Sequence, residues 1–460
     1  MEILRRAPML GVLAGIISGL AMYDRAGIWA FVVMVPMVYS GVMLCSYEWE
    51  LPGQWRVFGA GVVLCALCSV RCFAVLTKPP AENITLTQAA GTVTGVRAWG
   101  RQYVLTIDVD GGGRYAARMR FPEIMQGTRI KFDGVTRSFR QNEKFDEARY
   151  WGARGISSWI SIHNVEELPR KFSFARMRYL LSRKLTMYLP DATASYLKAM
   201  WLGERDDLLN RMHRRWGTVH LLAVSGFHVG IIVMCASLIF GNNAVLLSVI
   251  MWAYIFLTGA APSALRAGLM FQAGLIAKIL GRPASGVNSV SVAGVMILMW
   301  SPLMFWDIGF RLSVLCALTI TTLPRKWWLM VSPLMFLVSF PQVSRTFGEI
   351  MLVGIVLNIF APLYFTFALS VASVLGVLRL LNVPLMNYVL LAVEGGFLLW
   401  ERAADFAAES IPYSVGWNYI TAWIGAGVLV WCLCRYFELA PLRSVVVMAG
   451  VSFAAFLMFS

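Results

Sequence analysis

His220–Gly230 reads HLLAVSGFHVG, with two histidines, a serine and two glycines where a long apolar run begins. Ionisable side chains inside a membrane segment are expensive and usually face a protein interior or a water-filled path. On a continuous helix, Ser225 and His228 share a face, and His220 lies about 80° round from His228 at roughly 100° per residue. Gly226 and Gly230 let another backbone come close. The stretch predicts a polar seam inside a helix bundle.

The chain around it has 460 residues, 58% of them hydrophobic and only 14% charged. Apolar runs of about 20 residues recur, the length a bilayer-spanning helix needs. Three come first, at about Ala7–Tyr23, Gly27–Cys45 and Val57–Leu76. The others are about Val219–Phe240, Ala244–Gly259, Ser263–Leu280, Val287–Trp300, Ile308–Leu323, Trp327–Phe340, Ile350–Leu378, Leu385–Trp400, Tyr419–Cys434 and Val445–Phe459. That gives about 13 spans if every run crosses and about 10 if the short ones do not. Arg5 and Arg6 put the N-terminus in the cytoplasm, and three crossings then place the following segment outside. No small-residue cleavage site follows the first run, which reads as an uncleaved helix.

That segment, 79–168, changes character. Tyr103, Leu105, Ile107 and Val109 alternate with more polar neighbours, Gly111–Gly113 supplies a turn, and Tyr115, Ala117, Met119 and Phe121 line a second strand. Further strand-like stretches lie at Thr92–Trp99, Thr128–Val135 and Ile156–His163. Five short strands suit a small β-barrel, the OB-fold being a natural candidate. The fold class expected is a polytopic α-helical membrane protein with an inserted small β-barrel. Its parts are N-terminal transmembrane helices (1–78), the barrel (79–168), basic amphipathic helices at the membrane surface (169–218) and a transmembrane core (219–460). Phe174, Met177, Leu181, Leu185 and Tyr188 recur at helical spacing behind a capping Ser173.

The net charge is +15. Cytoplasmic loops favour Lys and Arg, and a basic exported surface attracts a polyanion. Arg114, Arg118 and Arg120 share one face of a barrel strand, either a nucleic-acid surface or a solvated edge. Arg211, Arg214 and Arg215 lead into His220 as interfacial anchors or as a basic funnel. Of eight cysteines none lies between Cys72 and Cys235, so the barrel holds no disulfide. Cys65, Cys68 and Cys72 read as packing residues inside a helix, and no metal or cofactor is expected. No Gly-rich Lys-Ser/Thr loop for ATP is present.

HLLAVSGFHV resembles the signature of the ComEC family, bacterial competence channels that carry transforming DNA across the cytoplasmic membrane. Other stretches resemble the same family: Asn142, Phe145, Asp146 and Tyr150, with Glu143-Lys144 where the family has Pro-Gly; and Leu202-Gly203-Glu204-Arg205, where Asp is usual at Glu204. Ser263, Arg266 and Ala267 resemble its Ser-x-x-Arg-Ala block, and Asp307 to Ser313 another block with Arg311 in place of Gln. Asn358 and Pro362 resemble its Asn-x-x-x-Pro block. The resemblance implies an OB-like barrel and single-stranded DNA as the transported partner, in the inner membrane. It also implies a separate DNA receptor, nuclease and cytoplasmic motor. Such proteins commonly continue into a metallo-β-lactamase-like domain; this chain has no His-x-His-x-Asp-His block, so no nuclease activity is expected.

Two further readings stand beside a DNA channel. Ser225 with His228 is the start of a nucleophilic site, which makes a membrane hydrolase conceivable. A transporter of another anionic polymer is the other. Asp307 and Arg311 are spaced for an ion pair on one helix, with Asp307 as its cap. Pro362 predicts a kink whose freed groups Asn358 satisfies. Glu394 and Glu401 read as polar contacts to neighbouring helices.

Overall fold

A computed structural model describes residues 7–44, 54–77, 83–99, 102–120, 124–139, 141–142, 145–169, 172–204, 206–281, 285–380, 386–416 and 419–436. Arg5, Arg6, Phe121, Glu143, Lys144, Arg205, Arg282, Arg443 and the 445–459 run lie outside the described residues.

The inserted segment closes into a barrel. Its strands are β1 (Thr85–Trp99), β2 (Gln102–Val109), β3 (Arg114–Met119), β4 (Arg129–Arg137) and β5 (Ser158–Glu167). The order around the barrel is β1-β2-β3-β5-β4, with β1 long enough to pair both β2 and β4. Among the described residues the β3–β5 pairing, Tyr115 opposite Ser158, is the one parallel pairing of the barrel. Val93, Leu105, Ile107, Tyr115, Ala117, Ile130, Phe132 and Ile160 fill the interior, as the period-two pattern predicts. Val104 and Ala116, on the opposite face, are buried too. They lie under Trp151 of the short helix α4 (Glu147–Gly152), Ile156 of the turn after it and Trp159 of β5.

Ahead of the barrel come α1 (Met9–Ala26), α2 (Val35–Leu44), entered through a π turn at Ala30–Met34, and α3 (Gln54–Leu76). After it come α5 (Phe174–Tyr188), α6 (Asp191–Leu202), α7 (Asp207–Arg215) and α8 (Gly226–Phe240). The core continues with α9 (Ala244–Leu257), α10 (Pro262–Ile279), α11 (Gly286–Trp300), α12 (Ile308–Thr322), α13 (Trp328–Phe347), α14 (Val353–Leu380), α15 (Met386–Ser410) and α16 (Tyr419–Tyr436). Among the described residues three helices are long and apolar enough to cross a membrane: Met9–Ala26, Arg56–Leu76 and Val353–Arg379. Five more apolar helices have 10–17 residues. These features and the barrel make this a membrane protein with a small inserted β-domain.

Packing divides the helices into apolar clusters. One joins α1, α3, α11 and α12 and takes in Cys65, Cys68 and Cys72, all buried. A second joins α6, α14 and α15 and reaches Trp216, Leu221 and Leu222. A third is built from α8, α9 and α10 around Val224. The stretch between α7 and α8 therefore touches two clusters at once.

The barrel is seated on the helices from two sides. Arg154, following α4, donates to Asp307 Oδ2 at 2.8 Å, and Arg149 stacks over Trp306 at 4.3 Å while pairing with Asp24. On the other side Arg178 of α5 donates to Thr94 O at 3.1 Å. A Cβ on Gly127 would come within 2.4 Å of Arg176 Cα, so only glycine allows that approach. Ser173 caps α5 as its sequence suggests, accepting from Arg176 N at 3.2 Å. The amphipathic helix serves as the seat of the barrel.

Candidate functional site

His220–Gly230 is not one helix. Trp216 ends α7, Gly217 takes φ +68°, and Val219–Leu221 form a single 3-10 turn. The helix begins only at Gly226, with Ser225 as its extended N-cap. The helical phase relating His220 to His228 is therefore replaced by a loop: His220 is exposed on the turn and His228 is buried in the first helical turn. The reason is local. A left-handed glycine and an extended serine cap interrupt the backbone, and the apolar letters between them bury against protein.

Ser225 and His228 form a reciprocal cap. The serine side chain accepts from the backbone N–H of His228, and His228 Nδ1 accepts from Ser225 N–H at 3.1 Å. The serine oxygen lies 3.2 Å from the same ring nitrogen. A ring nitrogen that accepts from a backbone amide is already occupied, which makes this a helix-start device in the manner of a capping box.

Two helices close on the loop. Ser263 Oγ of α10 donates to Val224 O at 2.5 Å, and a Cβ on Gly226 would meet Ala267 Cβ at 3.2 Å. Asn358 Nδ2 of α14 donates to Gly217 O at 3.3 Å. That is a correction: Asn358 reaches across to the loop rather than to groups freed by Pro362, and α14 runs through Pro362 from Val353 to Leu380. Gly217 meets Gly354 so closely that an added Cβ would lie 2.9 Å from Gly354 Cα. Gly217→Ala is expected to cost at least the roughly 1–2 kcal/mol of a left-handed non-glycine residue, plus a backbone collision, read as a lower Tm in detergent.

Beneath the loop lies a buried polar chain that the sequence reading did not single out. His213 Nε2 lies 3.2 Å from Tyr196 OH, and His213 Nδ1 lies 2.9 Å from Thr218 Oγ1. Tyr196, His213 and Thr218 are each 0% exposed. Glu401 of α15 lies beside the Tyr196 hydroxyl. Burial depresses His213 to about 3. Further along α15, Asp405 accepts from Trp216 Nε1 at 2.9 Å, and Glu409 pairs with Arg215 at 3.2 Å. Glu394 accepts from Ala192 N, Thr193 N and Thr193 Oγ1 at 2.8, 2.8 and 2.7 Å, capping α6. Glu394 and Glu401 are thus helix-to-helix contacts, as expected.

The other candidates fall elsewhere. Asp307 caps α12 by accepting from Phe310 N at 3.1 Å, and its charge partner at 2.8 Å is Arg154 from outside the helix. Arg311 is held from α13: with the Gln342 amide oxygen turned toward it, that oxygen accepts from Nε at 2.8 Å and Nη1 at 3.1 Å. Ser313 is half-buried on α12. On the barrel, Arg114 pairs with Asp108, which holds its guanidinium charged above the usual arginine range. Arg118 pairs with Glu147 at 3.0 Å and lies over Trp159 at 4.2 Å. Arg120 and Arg211 are exposed, Arg214 sits 5.9 Å from the Phe347 ring, and Arg215 spans Asp405 and Glu409. Arg266 is the exception among the candidate cations: it is 7% exposed, and its Nε and Nη1 have no acceptor. Among the described residues no group of three or more His, Cys, Asp or Glu is placed to hold a metal ion.

The family model described as competence protein matches residues 200–442, a block that contains the loop, α8 and every helix that closes on it. ComE operon protein 3 of Bacillus subtilis (strain 168) is 27% identical over 247 residues, covering 48% of this chain and 31% of that protein. The chain thus spans about a third of that relative's length. No solved structure matches. With more than half its length in that block, and the HLLAVSGFHV stretch within it, the chain belongs to the ComEC family of competence proteins.

Proposed function

We propose that the chain is the membrane-embedded part of a channel or translocase that imports single-stranded DNA during natural transformation. It sits in the cytoplasmic (inner) membrane, with the barrel, an OB-like fold by its strand order, on the extracytoplasmic side. The observation that carries this reading is the set of partnerless polar atoms gathered on the elements that close round the loop. Among the described residues they include His228 Nε2, Arg266 Nε and Nη1, and Asn358 Oδ1. Polar groups kept at such cost in a membrane protein belong to a path or a site, and a charged, hydrated polymer supplies the acceptors and donors they lack.

In this proposal the protein supplies the path and the electrostatic compensation. A separate receptor, nuclease and cytoplasmic motor deliver, trim and pull the strand. Arg114 and Arg118 already have carboxylate partners, so of these three barrel arginines Arg120 is the one left to attract a strand, with Arg211 at the loop side.

A clean deletion with plasmid complementation tests the reading, scored as transformation frequency. Loss on deletion and return on complementation support it; a deletion strain that transforms like its parent removes DNA as the substrate and leaves another anionic polymer. No hydrolytic role is proposed for Ser225. Ser225→Ala is expected to cost about 1 kcal/mol of helix capping and to leave ester and phosphodiester hydrolysis assays blank, while His228→Ala lowers uptake.

A further inference from the structure

The geometry points to a phosphate-oxygen site built from neutral donors at Trp201, His228 and Tyr254. It rests on the uptake reading and gives it a contact. Trp201 is the shared neighbour, its ring centroid 5.8 Å from that of His228 and 5.7 Å from that of Tyr254, both edge to face. Each ring carries a buried polar atom without a partner: Trp201 Nε1, His228 Nε2 and Tyr254 OH. His228 is 0% exposed and Tyr254 8%.

The protonation of His228 follows from its cap. Nδ1 accepts from the Ser225 amide at 3.1 Å, so in the neutral ring the proton sits on Nε2, which is a donor. The indole N–H of Trp201 can only donate. The Tyr254 hydroxyl adds a third proton. Around them Val224, Val229, Met251, Ile255 and Ala264 offer no polar side-chain atom. His228 also lies in the first turn of α8, the positive end of that helix.

Three buried donors in ring contact with no acceptor are a costly arrangement, since each unsatisfied group is penalised. A ligand that brings only lone pairs suits all three, and a phosphate oxygen is such a group. Preorganised neutral donors in an apolar wall stabilise an anionic oxygen without a counter-charge, as an oxyanion hole does. They also hold it less firmly than an arginine would, which is what a strand that must move on requires.

The test uses the full chain in nanodiscs with 15N-labelled indoles, the Trp201 resonance being identified by its absence in Trp201→Phe. It is titrated separately with sodium phosphate, sodium chloride and an oligothymidylate. The expected result is a shift of that resonance with phosphate and with the oligonucleotide but not with chloride. Tyr254→Phe and Trp201→Phe should each weaken oligonucleotide binding about tenfold. If the wild type binds the strand while the resonance stays still and both variants bind normally, the site is wrong and the uptake reading survives. If phosphate moves the resonance in a Tyr254-dependent way but no strand binds, the site stands and the uptake reading falls. An equal response to chloride overturns the phosphate assignment.

Discussion

Arg266→Met is expected to lower transformation roughly a hundredfold while leaving the protein folded with an unchanged or higher Tm. The side chain is 7% exposed on α10, and two of its nitrogens lack an acceptor. A buried charge held for stability would be paired, and its removal would destabilise; an unpaired one is a standing cost, and an apolar residue of similar length relieves it. Its neighbours in the motif have structural tasks: Ser263 bonds to Val224 O and Ala267 abuts Gly226. In the proposed channel that leaves the guanidinium for the strand. Two charge-assisted hydrogen bonds lost, at roughly 1.5 kcal/mol each, account for the hundredfold. Arg266→Lys keeps the charge but loses the fork and falls between. Thermal denaturation of purified variants beside transformation counts from the same alleles decides it. A drop in Tm with normal uptake would make Arg266 a brace and end this account.

What the sequence made legible follows from how local each signal is. Alternation in Tyr103–Val109 is a local pattern, and it placed a barrel strand correctly. Ser173 and Asp307 precede helices and cap them, because capping is decided within three residues. At His220 the apolar run suggests helix where the structure has a loop, because hydropathy cannot separate lipid-facing apolar residues from those buried against protein. Leu221, Leu222 and Val224 are the latter. Likewise the apolar run Val287–Trp300 suggests a span, and the helix it forms, Gly286–Trp300, has 15 residues. The Arg154–Asp307 bridge joins residues 153 apart, and no spacing rule within one helix finds such a partner. The Tyr196–His213–Thr218 chain was invisible for a related reason: it draws on two helices and a turn, and its fourth member, Glu401, lies far along the chain.

That chain makes the fold acid-sensitive in a definite direction. His213 is held neutral at about 3 by burial, whereas in an unfolded chain an imidazole titrates near 6.5. Well above pH 6.5 neither state is protonated and the full stability is present. As the pH falls from there toward 3 the unfolded chain takes up a proton that the folded one refuses, and stability is lost throughout that window. At pH 5 the loss is about 2 kcal/mol. Burial outweighs the hydrogen bond with Thr218, which pushes the other way, and Tyr196 from α6, Phe365 from α14, and Trp216, Thr218 and His220 from its own loop contribute no carboxylate in contact. Glu401 reaches it only through Tyr196, and Asp405 is bound to the Trp216 indole. Loosening there frees Thr218 and with it the turn that carries His220. Tm of the detergent-solubilised wild type is therefore expected to fall steeply between pH 7.5 and 5. His213→Gln keeps a donor near the Nε2 position, cannot titrate, and should start from a lower Tm at pH 7.5 yet lose much less on acidification. Parallel slopes for the two proteins would mean that some other group carries the acid response and that His213 is protonated readily in the folded state.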